Sequence, residues 1–266
     1  MSAKPIIHFS HANGIPVEAY RKFLNGFKDR YDIKTIDGIG VHPDYPITKD
    51  WRYLVQQLID DVEQQSPSAP VIGMGHSFGS LVTLMAAYKR PDLFSQLIIM
   101  DPPFVIGKNS MLFELIKILN LKMIDQLTPA GITLKRKDHW LSKDLAIEAL
   151  RHNRLFKSFD DDCFNAYIEH GLIEDAQRGG VTLKISKVVE AEIFRTVPAW
   201  WWRTPRKPPQ TPVHLITASK SPFYKQGLPK GMHEIYKIDF SVVEGGHMFP
   251  LEQPNEISRL VQELLK

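Results

Sequence analysis

One serine in the chain lies in a short pattern that could make it a nucleophile. Residues 75–79 read Gly75-His76-Ser77-Phe78-Gly79, and they follow an apolar run and precede a helical pattern. In a G-x-S-x-G motif the serine occupies a strained turn from a strand to a helix, which exposes its hydroxyl above the sheet. The two glycines leave room for the helix to approach neighbouring strands where a Cβ would clash. The simpler alternative is a glycine-rich turn with an inert serine.

A serine hydroxyl is a weak nucleophile near neutral pH, so it needs a base that accepts its proton. Among the ten histidines, His247 directly follows the last predicted strand, in the segment VVEGGHMFPLEQP. In a parallel sheet this position lies at the same edge as Ser77, and a histidine near the C-terminus fits the serine, acid, histidine order that accompanies this motif. A loop histidine is otherwise most often a surface residue. We predict that Ser77 and His247 meet above the sheet.

Acyl transfer also needs donors that hold the developing oxyanion, each contributing on the order of 3 kcal/mol to the reduction of the barrier. The geometry of the motif offers the backbone N–H of Phe78. The segment HANG, residues 11–14, ends the first predicted strand and could offer a second donor. We expect the N–H of Asn13 in this role, with Ala12 as the neighbouring possibility. An ordinary turn, with Asn and Gly chosen for positive φ, is the alternative.

These side chains depend on a sheet that the sequence pattern also predicts. Short β-rich runs alternate with helical patterns, which is typical of βαβ units and a mainly parallel sheet. The predicted strands are residues 5–9, 31–36, 70–75, 96–100, 212–219 and 240–246, and the predicted helices around them are residues 17–27, 48–65, 77–89 and 254–265.

The alternation disappears in a middle region, residues 104–208. The pattern there predicts several helices, including residues 111–127 and 141–156. This region carries 17 Lys/Arg and 13 Asp/Glu, a net +4, whereas the remainder of the chain is at −1. Helix 111–127 is apolar around nearly all its circumference, as expected for a helix that faces an acyl pocket or packs in a core. The tryptophans at 200–202 are interpreted as packing residues.

Composition excludes several function classes. The chain has 266 residues, 43% of them hydrophobic, and 33 basic against 30 acidic residues without dense Lys/Arg runs. It is long enough for a sizeable core, and a nucleic-acid partner is not expected. Cys163 has no second cysteine for a disulfide or metal site, and we interpret it as a helical packing residue. The segments DHWLSKD and FDDDCF match no tight metal site, so we predict no metal.

The sequence shows no obvious targeting or membrane-spanning segment. The N-terminal residues contain only a short apolar run, and no apolar stretch approaches the roughly 20 residues needed to cross a bilayer. We therefore expect no membrane span and, by default, a cytoplasmic location. The sequence gives no indication of the oligomeric state.

The segments HANG, IDGIG, GHSFG and GGHMFPLEQP together resemble the α/β-hydrolase family, and the similarity in organisation covers the chain apart from the detail of the middle region. The resemblance implies an α/β fold with a mainly parallel, eight-stranded-type sheet flanked by helices and an inserted helical cap. Residues 1–103 and 209–266 would form the two parts of the core, and residues 104–208 the cap. Ala12 stands where the family usually has the glycine of a His-Gly-x turn.

The resemblance leaves a question about the acid that orients His247. Family members commonly have an Asp after the penultimate strand, in a G-x-x-D segment, where this chain has Ser221. The family also includes members whose acid follows the strand after the nucleophile, and Asp101 has that position here. We predict that Asp101 is the acid. A turn residue ahead of two prolines is the alternative.

Three other carboxylates fit this role less well. Asp239 precedes the last strand and would lie at the opposite edge of the sheet. Asp37 ends the strand after the first helix, where the family often has a structural Asp-x-x-Gly turn. Glu244 is too near His247 in the chain to point towards it easily.

The resemblance implies a serine hydrolase, and the usual activity of the family favours a carboxylesterase that acts on a small-molecule ester or acyl substrate without a cofactor. A thioesterase, lactonase, perhydrolase or C–C bond hydrolase on the same scaffold is the alternative. Haloalkane dehalogenases and epoxide hydrolases are disfavoured, because these relatives have an Asp nucleophile where this chain has Ser77. A non-catalytic binding protein with a decayed triad is a further alternative, which the serine at position 221 supports.

Overall fold

The computed structural model describes residues 4–105, 108–119, 123–199 and 207–265. Within these ranges the main sheet has six strands, all parallel, in the order β2-β1-β3-β4-β8-β9. The strands are β1 (Ile6–Ser10), β2 (Asp32–Ile36), β3 (Val71–His76), β4 (Phe94–Met100), β8 (Val213–Ala218) and β9 (Asp239–Val243). Each corresponds to a predicted strand with bounds that differ by up to three residues. The parallel sheet is thus confirmed, with six strands in the described part of the chain rather than eight.

Helices cover both faces of this sheet, because successive residues of its strands point to opposite sides. Along β4, Leu97 and Ile99 belong to one buried apolar cluster, whereas Ile98 and Met100 belong to another. The helices are α1 (Arg21–Asn25), α2 (Arg52–Gln65), α3 (Phe78–Lys89), α4 (Lys108–Ile118), α5 (Ile124–Leu127), α6 (Ala130–Lys135), α7 (Lys143–Arg151), α8 (Asp161–Gly171), α9 (Lys187–Arg195), α10 (Pro222–Lys225), α11 (Leu228–Tyr236), α12 (Phe249–Glu252) and α13 (Pro254–Leu264), with short 3-10 segments at Val17–Tyr20, Lys49–Trp51 and Pro91–Leu93.

Helix α3 is the element that positions the candidate nucleophile. Every residue from Phe78 to Ala87 is buried, because the helix lies between the sheet and α2. A helix enclosed in this way cannot shift without disturbing the core on both sides. Its N-terminus therefore gives Ser77, the residue before it, a fixed place at the end of β3.

The middle region differs from the prediction of helices alone. Besides α4 to α9 it contains a three-stranded antiparallel sheet, in the order β5-β7-β6, formed by β5 (His139–Trp140), β6 (Leu172–Glu174) and β7 (Val181–Leu183). These strands have two or three residues each, which is too short to give a recognisable alternation in the sequence. The helix predicted at 141–156 is shorter, α7, and begins after Ser142, whose hydroxyl accepts a hydrogen bond from the Leu145 N–H.

The interpretation of residues 111–127 as one helix packed in the core is wrong. Helix α4 ends at Ile118, and α5 begins at Ile124. Several of the large apolar side chains of this segment are exposed, while Glu114 and Lys117 on α4 face the protein. The tryptophans at 200–202 lie outside the described residues. Within the described ranges no helix combines the length and the apolar character that crossing a membrane requires.

Candidate functional site

Ser77 lies on a tight turn between β3 and α3. Its backbone has φ 52° and ψ −120°, a conformation that costs a non-glycine residue energy and is held here by its surroundings. The Ser77 N–H donates to the Met100 carbonyl oxygen at 2.8 Å, which ties the turn to the end of β4. A strained, fixed turn of this kind directs the Ser77 hydroxyl away from the sheet edge.

The two glycines of the motif are required by close backbone contacts. A Cβ on Gly75 would lie 2.7 Å from the backbone nitrogen of Ser80, and one on Gly79 would lie 2.4 Å from the Ser10 carbonyl oxygen. Real Cβ atoms do not approach backbone atoms so closely. The predicted reason for both glycines, the close approach of α3 to neighbouring chain segments, agrees with these distances.

His247 lies in the loop between β9 and α12, and its ring reaches Ser77. The His247 Nε2 atom is 2.9 Å from the Ser77 Oγ atom, and its Nδ1 atom is 2.5 Å from Asp101 Oδ2. A carboxylate only accepts hydrogen bonds, so Nδ1 carries the proton and Nε2 is free to accept the Ser77 proton. The structure thus brings together the three side chains that the sequence analysis paired.

Asp101 directly follows β4, with φ 48°, and its residue is 1% exposed. Its carboxylate accepts a hydrogen bond at 2.6 Å from the Thr217 hydroxyl on Oδ1, and another at 2.6 Å from the Ser221 hydroxyl on Oδ2. With His247, three donors surround this buried group. Burying a carboxylate costs free energy unless the group is hydrogen-bonded, and these three donors offset that cost.

Ser221 and Thr217 are site residues that the sequence analysis did not identify. Ser221 was noted only as the residue that replaces an expected acid, whereas its hydroxyl contacts Asp101, the acid on the neighbouring strand. The signal was present in the sequence, because a serine at the end of β8 and an aspartate at the end of β4 lie at one edge of a parallel sheet. The same reasoning would have pointed to Thr217.

The other carboxylates that were weighed lie elsewhere. Asp239 begins β9, at the opposite end of the strand from the His247 loop, and it contacts His233 at 3.2 Å. The Asp37 carboxylate is 3.3 Å from Lys184 Nζ. Glu244 accepts a hydrogen bond from the Ser219 hydroxyl at 3.0 Å.

His76, the second residue of the motif, is hydrogen-bonded to the backbone of the His247 loop. Its Nε2 atom is 2.9 Å from the His247 carbonyl oxygen, and its Nδ1 atom is 2.6 Å from the Tyr20 hydroxyl. A carbonyl oxygen only accepts, so Nε2–H donates to it and Nδ1 accepts from Tyr20. Burial, with the nearby His247, lowers the pKa of His76 to about 3, so the ring is neutral at ordinary pH.

The Tyr20 hydroxyl also links this network to the HANG segment, because it accepts the N–H of Ala12 at 3.3 Å. That contact occupies the amide of Ala12 and favours Asn13 as the predicted second oxyanion donor. The side chain of Asn13 donates to the Glu190 carbonyl oxygen at 2.9 Å, which anchors the segment to α9. Gly14 has φ 73°, as a turn with a glycine at positive φ requires.

Phe78, the predicted first oxyanion donor, is held by an aromatic contact. Its ring packs edge-on against Trp51, with the ring centroids 4.8 Å apart. The indole N–H of Trp51 donates to the Ile193 carbonyl oxygen at 3.0 Å. The residue after Ser77 is therefore fixed by packing from the 3-10 segment and, through it, from α9.

This arrangement can move a proton from a hydroxyl to an imidazole. Ser77 donates towards a neutral His247, and the Asp101 carboxylate stabilises the positive charge that the ring would gain. Backbone N–H groups at the start of α3 lie beside the serine, where a negative oxygen would be favoured. These are the components of nucleophilic acyl transfer.

Comparison with known proteins finds hydrolases among the relatives of this chain. The sequence profile described as the alpha/beta hydrolase family matches residues 24–260. A Type I acyl-CoA thioesterase of Penicillium brevicompactum is 26% identical over 177 residues, 60% of this chain, but the match spans only 38% of the length of that relative. An abhydrolase domain-containing protein of Alternaria alternata is 24% identical over 73% of this chain and 82% of its own length. A monoglyceride lipase of Rattus norvegicus is 30% identical over 95 residues, which is 35% of this chain and 30% of the lipase.

Solved structures share the same fold. An E-2-(acetamidomethylene)succinate hydrolase superposes with a TM-score of 0.75 over 99% of this chain and 92% of its own, at 17% identity. A thioesterase domain from the curacin biosynthetic pathway has a TM-score of 0.73 over 97% of this chain and 91% of its own, also at 17% identity. At 17% identity these similarities show a shared fold alone.

Proposed function

Because the chain belongs to the alpha/beta hydrolase family, we propose that it is a serine hydrolase that cleaves carboxylic esters through an acyl-enzyme. One observation carries the proposal: the continuous hydrogen-bonded chain from the Ser77 hydroxyl through His247 to the Asp101 carboxylate. A decayed site in a binding protein would have no reason to keep all three groups at hydrogen-bonding distance.

In the first half of the proposed reaction, Ser77 Oγ attacks the ester carbonyl carbon while its proton passes to His247 Nε2. The carbonyl oxygen becomes negative and is held by the N–H groups of Phe78 and Asn13. The ring then returns the proton to the departing alkoxide, so the alcohol leaves neutral and the acyl group stays on Ser77. Asp101 remains ionised throughout and stabilises the transient imidazolium.

In the second half, water replaces the alcohol. His247 Nε2 takes a proton from the water as its oxygen attacks the acyl carbon, and the same N–H groups hold the oxyanion. The proton then passes to Ser77 Oγ as the acyl bond breaks. The products are the free acid and the starting enzyme, and no redox change takes place.

A thioester is the second candidate substrate. The thioesterase of Penicillium brevicompactum supports it, although the match covers a minor part of that protein. The catalytic groups would serve either bond, since a thiolate is a better leaving group than an alkoxide. Parallel kcat/KM measurements on p-nitrophenyl esters and acyl-CoA thioesters of matched acyl length distinguish the two candidates.

The nucleophile is tested by changing Ser77→Ala. We expect kcat on a p-nitrophenyl ester to fall about a millionfold, because no other group can form the acyl-enzyme. A fluorophosphonate probe should label the natural protein and leave this variant unmodified, as read by intact-mass spectrometry.

The matched control is Ser219→Ala, a serine that is also close to the carboxyl end of a strand but contacts Glu244. This variant should keep both labelling and turnover. Undiminished labelling of the Ser77→Ala protein, or no labelling of the natural protein, would contradict the proposed function.

A further inference from the structure

Helix α4 exposes most of its large apolar side chains, although Ile116 is buried. Exposed fractions exceed one half for most of the large apolar residues on this helix and the turn after it, and the exposed surface continues onto the next two helices. The residues concerned are Met111 (57%), Leu112 (58%), Leu115 (51%), Ile118 (58%) and Leu119 (56%), followed by Met123 (42%), Leu127 (52%) and Ile132 (79%). We call these eight residues the outer apolar surface.

The spacing of these residues makes a continuous stripe on α4. Positions 111, 115 and 118, with 112 and 119 beside them, follow the three- and four-residue steps of one helical face. Helix α4 contacts α5, and α5 contacts α6. The exposed apolar residues of α5 and α6 therefore lie on helices that follow α4 in space as well as in sequence. Contiguous exposed apolar surface on a folded chain, such as the stripe on α4, marks a binding surface.

The opposite, polar face of α4 is buried and fixes the orientation of the helix. Lys117 Nζ is 2.6 Å from Asp50 Oδ1 and donates to the Val197 carbonyl oxygen at 2.9 Å. Glu114 lies between two lysines, at 2.5 Å from Lys49 and 3.3 Å from Lys117. The helix could not turn its apolar face inward without breaking these ion pairs and leaving their buried partners unpaired.

The pKa of Glu114 agrees with this arrangement. Burial by itself would raise the pKa of this carboxyl, but the hydrogen bond from Lys49 and the charge of Lys117 outweigh burial and lower it. The carboxylate is therefore charged and paired inside the protein. Its negative charge is not presented on the outer apolar surface.

The charge of the segment is positive. Residues 108–137 contain six Lys/Arg and two Asp/Glu, a net +4, which equals the whole excess of the middle region. Both acids are paired, Glu114 as described and Asp125 with Arg195 at 2.7 and 2.8 Å. Two of the six cations are paired as well, Lys117 with Asp50 and Arg136 with Glu190. Lys135 and Lys137 are exposed just beyond the outer apolar surface.

From this combination we propose that the outer apolar surface docks on an anionic lipid bilayer, with α4 lying in the plane of the interface. Apolar side chains would enter the boundary between headgroups and acyl chains, and the lysines would lie at the level of anionic headgroups. A second copy of the chain fits less well, because a two-fold interface places the same positive segment against itself.

The proposal is independent of the proposed function. It uses no residue of the candidate site, and lipid binding can be measured without turnover. The Ser77→Ala protein should bind vesicles like the natural protein, so a failure of either idea leaves the other untouched.

Vesicle co-sedimentation tests the proposal. Extruded vesicles of equal parts phosphatidylcholine and phosphatidylserine should sediment the natural protein roughly tenfold more effectively than phosphatidylcholine alone. Added NaCl should weaken the binding, since the lysines are screened. Lys135→Glu should reduce the preference for the anionic vesicles.

The decisive pair of variants is Leu112→Asp on α4 and Leu141→Asp as its control. Leu141 is 77% exposed and lies next to β5, so both changes put one charge at an exposed leucine. We expect Leu112→Asp to weaken vesicle binding roughly tenfold, the loss of one inserted leucine, and Leu141→Asp to leave it unchanged. Circular dichroism checks that both variants are folded.

Three outcomes would overturn the proposal. The natural protein could fail to sediment with either vesicle, or Leu112→Asp could bind as well as the control. Light scattering could instead show a dimer that Leu112→Asp converts to a monomer, together with no vesicle binding. That last result would assign the outer apolar surface to a second copy of the chain.

Discussion

The Asp101 carboxylate is the residue on which the geometry of the candidate site depends most directly. It accepts hydrogen bonds from His247, Thr217 and Ser221 while almost fully buried. The two hydroxyls fix the carboxylate plane, so only one oxygen orientation can meet His247 Nδ1. This in turn selects the tautomer of His247 whose Nε2 can accept a proton from Ser77.

Replacing Asp101→Asn tests this dependence at the residue scale. The amide can turn its NH₂ group towards His247 and stabilise the wrong tautomer, so we expect kcat to fall about ten-thousandfold. Adding Ser221→Asp to this variant should raise its kcat at least about tenfold. The reason is that residue 221 already lies at hydrogen-bonding distance from the position of the acid. Steady-state kinetics on one ester substrate measures both steps.

Asp239→Asn is the matched control, since it makes the same chemical change at the start of β9, at the opposite edge of the sheet from Asp101. This variant should retain natural activity. If Asp101→Asn also stays near natural activity while another acid proves essential, the assignment of the acid is wrong.

At the scale of elements, the turn between β3 and α3 is possible only because two glycines lack side chains. Gly79 packs directly against the backbone of Ser10 and His11, at the start of the HANG segment. The same contact therefore sets both the direction of α3 and the distance of the HANG segment from Ser77. Nucleophile and predicted oxyanion donors are positioned by one close backbone approach.

Gly79→Ala should consequently destabilise the protein and reduce activity together. The added Cβ would meet the Ser10 carbonyl oxygen at 2.4 Å and the His11 carbonyl oxygen at 2.5 Å, and backbone atoms cannot move aside cheaply. We expect a loss of about 3 kcal/mol or more in the free energy of unfolding, at the upper end for overpacking. Urea denaturation followed by tryptophan fluorescence measures it.

Gly227→Ala is the control for this change. Gly227 has φ 72° and no atom within 4 Å of a built Cβ, so only the left-handed backbone conformation is penalised, by about 1 kcal/mol. If Gly79→Ala lowers the free energy of unfolding no more than Gly227→Ala does, α3 can move away from the HANG segment without loss of stability.

At the scale of the whole molecule, buried histidines connect the fold to pH. His76 and His11 are both buried, and burial lowers the pKa of each below the ordinary value of 6.5. Just below pH 6.5 the unfolded chain therefore binds more protons at these positions than the folded protein does. Stability contributed by His76 is therefore complete above pH 6.5 and is lost as the pH falls towards about 3.

We expect the free energy of unfolding to decline between pH 6.5 and 4 more steeply in the natural protein than in the His76→Gln variant. Each additional proton bound by the unfolded state adds about 1.4 kcal/mol per pH unit to the slope. Glutamine can donate to the His247 carbonyl and accept from Tyr20, but it does not titrate. Urea denaturation at a series of pH values gives both slopes.

His42→Gln provides the comparison, because His42 is a half-exposed histidine that the buried network does not include. A change of slope that is confined to His76→Gln would identify the buried ring as its source. Equal slopes for the natural protein and His76→Gln would show that His76 does not oppose protonation in the folded state.

Much of the fold could be predicted because it follows from local patterns. The period of apolar residues located the six strands of the main sheet and the helices that alternate with them, and the motif around Ser77 located a strand-to-helix turn. The chain order then suggested His247, because parallel strands bring their carboxyl ends to one edge. These inferences need only the sequence periodicity and the direction of the strands, whereas the choice of Asp101 also relied on the resemblance to the α/β-hydrolase family.

The tertiary structure decided which side chains are in contact and which faces of the helices are buried. The sequence marked Ser221 as a missing acid, whereas the folded chain places its hydroxyl against the carboxylate of Asp101, 120 residues earlier in the sequence. The sequence also suggested an apolar helix for a pocket or core, but ion pairs with Lys49 and Asp50 hold α4 by its polar face. Periodicity defines two faces of a helix, and only the groups that meet them in space determine which face is covered.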